Sequence, residues 1–207
     1  TFGWGIVFSD QTLENLQLND PESAETIRKS FAYWDDIDVH IHGKVIRSGG
    51  HGFIGIGRLR LITILQERAE ELGIKQVFET QVENSDNYEN YDLVVASDGI
   101  NSKIRTQHEA HFQPDIDLRR NKFIWLGTHK LFEAFTFIFI KTEHGWIWAH
   151  AYRFADDLST FIVECEPETW NALGFEDMSK EEAIGFLESL FADYLDANPL
   201  MENAKHL

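Results

Sequence analysis

Asp98 and Gly99 stand at the end of an apolar run, Leu93-Val94-Val95-Ala96-Ser97, and form the first pair in this sequence whose types and spacing could do chemistry. A carboxylate in that position can accept hydrogen bonds from sugar hydroxyls or water beside a bound cofactor, and the glycine lets the backbone approach closely. The same two residues equally describe an ordinary strand-to-helix turn in which Asp98 caps backbone N–H groups. Arg58 is the second candidate. It opens a helical stretch, where a guanidinium and the positive end of the helix together suit an anion such as a pyrophosphate. As a lone residue it reads first as a solvated surface charge. The third constellation is aromatic: Trp125, Phe137, Phe139, Trp146, Trp148 and His150 fall in strand-like segments. Aromatics on one sheet face usually make a core, but a concave wall of them is also how a flat ring is held.

A fourth stretch, Gly50-His51-Gly52-Phe53-Ile54-Gly55, matches the G-x-G-x-x-G of a dinucleotide-binding turn letter for letter. The preceding segment argues against that role. The first strand of a parallel sheet is buried on both faces and reads as a continuous apolar run. Here Val39-His40-Ile41-His42-Gly43-Lys44-Val45-Ile46-Arg47-Ser48 alternates on each side of a Gly-Lys turn, the pattern of an antiparallel hairpin with one wet face. The helix must also begin after Gly57, so its N-terminus lies outside the glycine turn. Gly50 to Gly55 therefore reads as a hairpin exit.

The elements that must position these residues follow from periodicity. A glycine-rich loop runs into a short strand over residues 1 to 9. Asp20-Pro21-Glu22 opens a helix on which Ile27, Phe31 and Trp34 recur at helical spacing. In the helix from Arg58 to Leu72, Leu61, Ile64, Leu65, Ala69 and Leu72 form one stripe, with Gly73 as its C-cap. Strands are expected at 74–79 and, buried and central, at 91–96. Strand, helix and strand feeding a glycine turn is α/β grammar. From Phe123 onward, four segments at hairpin spacing (122–127, 135–140, 145–152 and 159–165) predict an antiparallel sheet. A charged helix from Ser179 to Leu195 follows, with Ser179-Lys180-Glu181-Glu182 as its capping box.

Composition narrows the classes. The 207 residues suffice for one sizeable core or two modest lobes, and 43% apolar content with 16 Phe, 6 Trp and 5 Tyr is that of a globular chain. Eighteen Lys and Arg against 35 Asp and Glu give a net charge of −17, which repels nucleic acid and anionic lipid; neither is an expected partner. The sequence contains neither an apolar run of membrane-spanning length nor a secretion signal in residues 1 to 20, and its single Cys165 suits a reducing compartment, so a cytoplasmic protein is expected. His40 and His42 share a strand face, but no third ligand is evident, and no metal site is expected.

Together these residues carry a resemblance. The run from Leu93 to Arg105 resembles the Asp-Gly motif of the single-component FAD-dependent aromatic hydroxylases, the p-hydroxybenzoate hydroxylase fold, and Arg58-Leu59-Arg60-Leu61-Ile62-Thr63-Ile64-Leu65 resembles their R-x-x-L-x-x-x-L helix start. Gly3 to Asp10, Arg120 to Gly127, Ala149-His150-Ala151-Tyr152 and Ser159 to Glu164 are most similar to the flavin domain of aminobenzoyl-CoA and salicyloyl-CoA monooxygenases, with the violacein-pathway indole hydroxylase close behind. The resemblance implies an α/β chain: an incomplete three-layer FAD-binding lobe (1–107), an antiparallel substrate lobe (108–178) and a helix returning to the FAD lobe (179–207). It implies FAD as cofactor, NAD(P)H as electron donor, and transfer of one oxygen atom from O2 to a small aromatic substrate, an aryl-CoA thioester or a free ring. In it Arg58, Asp98 and Gly99 hold the phosphate or ribityl part of FAD. The Val82 backbone meets the adenine, Gly3 and Gly5 lie near the flavin, and Trp125, Phe137, Trp148 and His150 face the substrate. No acid or base is evident.

The family's own G-x-G-x-x-G and its Gly-Asp motif are expected before Thr1 and after Leu207, and neither is in the sequence. The chain starts without methionine and reads as a piece of a longer protein, expected to be inactive alone. The reading that competes is a non-catalytic folded remnant or binding module that no longer holds FAD.

Overall fold

The computed structural model describes residues 3–202; the chain ends named above, Thr1 and Leu207, lie outside them. The chain divides into two compact units, one made of residues up to Ile74 together with those from Arg120, the other of Lys75–Arg119.

The larger unit contains two sheets. Strand β1 (Gly5–Ser9) leads into helices α1 (Asp10–Asn19) and α2 (Pro21–Arg28), then β2 (Ala32–Trp34), the hairpin β3 (Ile37–Ile41) and β4 (Lys44–Ser48), β5 (Phe53–Gly57) and helix α3 (Arg58–Glu71). β5 is the centre of a three-stranded antiparallel sheet in the order β1-β5-β2. Ile27, Ile56 and Ile64 form the core between this sheet and its helices, with Ile6, Phe8 and Phe31 packed against them. The helix expected to reach Trp34 stops at Arg28. Phe31 follows it into this core, while Trp34 sits in β2 and turns the other way, stacking on Tyr152. α3 ends as expected: Ile74 N–H donates to Ala69 O and Gly73 N–H to Glu70 O, with Gly73 at φ 69°, a Schellman cap.

The hairpin forms, but its turn is His42-Gly43, one residue earlier than the Gly-Lys turn read from the sequence, so Ile41 pairs with Lys44; Arg47 grips the cross-strand Asp38 with two hydrogen bonds of 2.6 Å. The guanidinium holds the Asp38 carboxyl below the usual carboxylate range. His40 and His42 do not share a face. His40 packs edge-on against Tyr194, whereas His42, in the turn at φ 51°, packs against Trp146.

The smaller unit carries a single-turn 3-10 helix, Asp86–Tyr88, and the short helices α4 (Lys103–Gln107) and α5 (Glu109–Phe112). The strands expected at 74–79 and 91–96 are absent: both segments are irregular, and Leu93 and Val95 are 78% and 77% exposed. A central parallel strand needs hydrogen-bonded neighbours on both edges and apolar cover on both faces. The described residues of this unit offer two short helices and no strand.

The four later strands stand where alternation puts them: β6 (Lys122–Thr128), β7 (Phe135–Thr142), β8 (Gly145–Arg153) and β9 (Ser159–Cys165). They are followed by α6 (Pro167–Ala172), α7 (Lys180–Leu190), α8 (Ala192–Leu195) and β10 (Leu200–Met201). The sheet is larger than the sequence pattern implies. Its order is β10-β6-β9-β8-β7-β3-β4, because the early hairpin joins through a parallel pairing of β3 with β7. One face carries the main core, Ile138, Ile147, Ala149, Ala151, Phe161 and Val163, under Leu187, Phe191 and Leu195 of α7 and α8. The capping box is present, Ser179 accepting from Glu182 N–H and Glu182 from Ser179 N–H, but the expected single helix breaks at Phe191.

Candidate functional site

The opposite face of the seven-stranded sheet is ordered in rows, because residues facing each other across antiparallel strands point the same way. One row runs Gly127, Thr160, Tyr152; the next runs Trp125, Ile162, His150, Phe137, Val39; a third runs Phe123, Glu164, Trp148, Phe139, Ile41. Trp125, His150 and Phe137, three of the four residues expected to face a substrate, thus lie in one line across four strands, and Trp148 lies in the adjoining line. His150 stacks on Phe137 at 6.0 Å and Trp148 on Phe139 at 6.3 Å. All are half-buried, whereas the alternate residues are in the core.

The first row is covered by the small sheet. Trp34 stacks on Tyr152 and Phe53 meets Phe135 edge-on at 5.6 Å. Gly5 N–H donates to Thr160 Oγ1, and Tyr152 OH donates to Gly5 O. A Cβ on Gly127 would stand 2.7 Å from the Trp4 ring, and one on Gly3 would stand 2.7 Å from Trp125, so these contacts require glycine. Residues 3–5 therefore lie on the aromatic face beside its second row, and the rest of that row and the third row extend beyond them.

Arg58 belongs to the same corner. Its N–H donates to Trp4 O, and Gly57, which precedes it, pairs with Gly5. The first turn of α3 has no acidic residue and no side-chain cap. Every other arginine of the described residues has a side-chain hydrogen bond or ion pair; the half-buried Arg58 guanidinium has none. The structure brings Arg58, Gly3, Gly5 and Trp125 together.

Asp98, Gly99 and Val82 belong to the smaller unit. Asp98 accepts from Ser102 Oγ at 2.6 Å and from the backbone N–H groups of Lys103 and Ile104 at 2.9 and 3.4 Å. It braces the start of α4, and the Ser102 hydroxyl foremost holds its carboxyl below the ordinary range. Gly99, at φ 84°, has open space over its Cα. Both line a cavity of about 640 Å³ with Tyr88, Tyr91, Arg105 and His108. Val82 lies in an exposed irregular segment.

The G-x-G-x-x-G look-alike is occupied from within. Gly50 and Gly52 N–H groups donate to the Asp35 carboxylate at 2.9 and 3.1 Å, so a protein anion already sits where a phosphate would. The exit is also more ordered than expected, since Phe53 to Gly57 are β5. Among the described residues no cluster of His, Cys, Asp or Glu could hold a metal ion, and no helix is long and apolar enough to cross a membrane.

Sequence reasoning missed Glu164, which lies between Phe123 and Trp148 in the third row. Its Oε1 lies 3.3 Å from His150 Nε2. The signal was available: Glu164 interrupts an apolar strand at the parity of Ile162. Burial pulls the His150 pKa down, opposed by the Glu164 charge.

A small sheet stacked on an aromatic-walled larger one, with α3 rising from their junction, is the fold of FAD-dependent monooxygenases. The solved structure of 2-methyl-3-hydroxypyridine-5-carboxylic acid oxygenase matches with a TM-score of 0.72 at 16% identity, over 93% of this chain and 55% of that one. PqsL of Pseudomonas aeruginosa, described as a probable FAD-dependent monooxygenase, matches with a TM-score of 0.61 at 16% identity, over 92% of this chain and 59% of that one. In sequence, the chain is 39% identical over 211 residues to salicyloyl-CoA 5-hydroxylase of a Streptomyces species, covering 98% of this chain and 41% of that protein. It is 30% identical over 204 residues to protodeoxyviolaceinate monooxygenase of Chromobacterium violaceum, covering 96% of this chain and 54% of that protein. The chain thus spans about half the length of these relatives, and the resemblance read from its motifs holds. No family model matches it.

Proposed function

We propose that this chain is the flavin- and substrate-contacting part of an FAD-dependent monooxygenase that hydroxylates an aromatic ring, presented as an aryl-CoA thioester, with electrons from NAD(P)H, in the cytoplasm. The observation that carries the reading is the corner at Arg58: an unpartnered guanidinium and an uncapped helix start, beside an aromatic wall, in a protein of net charge −17. A diphosphate is the group such a corner fits. In this reading Arg58 holds the phosphate or ribityl region. Gly3 and Gly5 give the flavin ring close approach to the sheet, and Trp125, Phe137, Trp148 and His150 align the substrate ring and keep water from it. The smaller unit contributes Asp98, Gly99 and the Val82 backbone as cofactor contacts. Bound FAD would supply oxygen activation; the protein's part is orientation and exclusion of water.

One observation favours the competing reading of a folded module without FAD: the Asp98 carboxylate is already engaged as a cap. The test separates them. The full gene product, purified with added FAD and desalted, is expected to keep flavin absorbance and to be bleached by NADH or NADPH. A colourless protein supports the module.

A further inference from the structure

The aromatic wall is apolar except at one place. Between Trp125, Phe123, Ile162, Trp148, Phe137 and Phe139, the two polar side chains are His150 and Glu164, and they lie together, Nε2 3.3 Å from Oε1. No hydrogen bond closes between them. The His150 nitrogen is buried without a hydrogen-bond partner, and Glu164 has no side-chain hydrogen bond to any described residue. A carboxylate offers about four lone-pair sites, and a neutral imidazole one donor at most. Buried polar groups are normally satisfied, so the buried His150 nitrogen calls for a partner from outside the chain, and the partly exposed Glu164 carboxylate beside it stands open to the same partner. The spot is within reach of one, since the His150 and Glu164 side chains keep 23% and 28% of their surface exposed. His150 is held in place by Phe135 and Phe137, stacked at 6.2 and 6.0 Å, so the pair cannot readily swing away to water.

We propose that Glu164, with His150 beside it, is the specificity element of the wall: it accepts a hydrogen bond from an amino or hydroxyl group on the substrate ring, so that rings bearing such a donor are selected over the same rings without one. The proposal deepens the reading above and rests on it only in taking the wall as the place where an aromatic ring lies. Sites that hydrogen-bond a ligand donor reject the analogue lacking it far more strongly than apolar pockets reject a missing methylene.

The experiment is equilibrium dialysis of methyl anthranilate and methyl benzoate, identical but for the ring amine, against the full gene product. Methyl anthranilate is expected to bind at least about tenfold more tightly, a conservative fraction of the discrimination fully buried sites achieve. Glu164→Met, close in length and without an acceptor, is expected to bring the two affinities within about threefold by weakening methyl anthranilate alone, the charge-assisted bond being what is lost. Glu164→Gln, which keeps a neutral acceptor in the same shape, is expected to fall between and covers the case in which the Met variant does not fold. Equal affinities in the wild type, binding of neither ester, or a ratio unchanged in the folded variants overturns the proposal. Flavin retention, measured separately, reports on the monooxygenase reading itself.

Discussion

β9 and residues 93–96 carry the same kinds of side chains and reach different physical states. Phe161, Val163 and Cys165 lie in the main core, with β6 and β8 hydrogen-bonded on either side, while Leu93 and Val95 face water in an irregular segment. The difference is in the supply of neighbours. Antiparallel strands joined by short turns bring their partners with them in sequence: β7 meets β8 across Glu143-His144, and β8 meets β9 a few residues later. A run written for a parallel sheet depends on partners far along the chain. Apolar character therefore says that a segment can be buried, and local connectivity says whether its neighbours are at hand.

The largest test of this contrast is a pair of truncations. Phe161→Ala is expected to destabilise the protein by about 3–5 kcal/mol, as large-to-small changes in a packed core do, and Val95→Ala by less than about 0.5 kcal/mol. Denaturant unfolding of both variants measures the gap, and a loss at Val95 approaching that at Phe161 breaks the comparison. Native-state hydrogen exchange sharpens it: amides of β9 are expected to open only with global unfolding, and those of 91–96 to exchange close to the unprotected rate. Cys165 extends it to chemistry. Burial pushes its thiol up to about 11, so a thiol reagent at pH 8 is expected to label it only after denaturation.

Much of this was legible in the residues. Alternation located β6 to β9, Ser179 and Glu182 marked a helix start, Gly73 a helix end, and the faulty strand before Gly50 exposed the false phosphate loop. What was not legible is non-local or masked by local chemistry. The β3–β7 pairing joins segments nearly a hundred residues apart. β5 hides inside a glycine pattern, and α1 is too polar to show a stripe, with no residue buried. Within the candidate site, parity along β8 and β9 puts His150, Trp148 and Glu164 on one face. That Gly3 and Arg58 meet at the Trp125 edge depends on the stacking of two sheets, which no local pattern encodes.

Smaller effects concern the polar groups at the two places. Asp98→Ala is expected to lower the melting temperature through the lost helix brace, and to weaken FAD binding as well if Asp98 also contacts the cofactor; thermal melts with and without FAD separate the two. His150 gives the smallest shift. Its pKa is depressed by burial, so the unfolded chain binds the proton first, and stability present above the unfolded value of about 6.5 is lost as pH falls below it. Unfolding free energies between pH 7 and 5 are expected to decline less in His150→Phe than in the wild type. The Asp38 carboxyl, held low by Arg47, acts only below its unfolded value of about 3.9 and leaves that window clear.

The proposed cofactor site centres on the unpartnered guanidinium at the start of α3. Titration of FAD into the full gene product and its Arg58→Ala variant, followed by flavin fluorescence, addresses it most directly. The predicted result is saturable binding by the wild type, weakened at least about tenfold in the variant, as for a lost charge-assisted hydrogen bond. Equal affinity in the two proteins would contradict it.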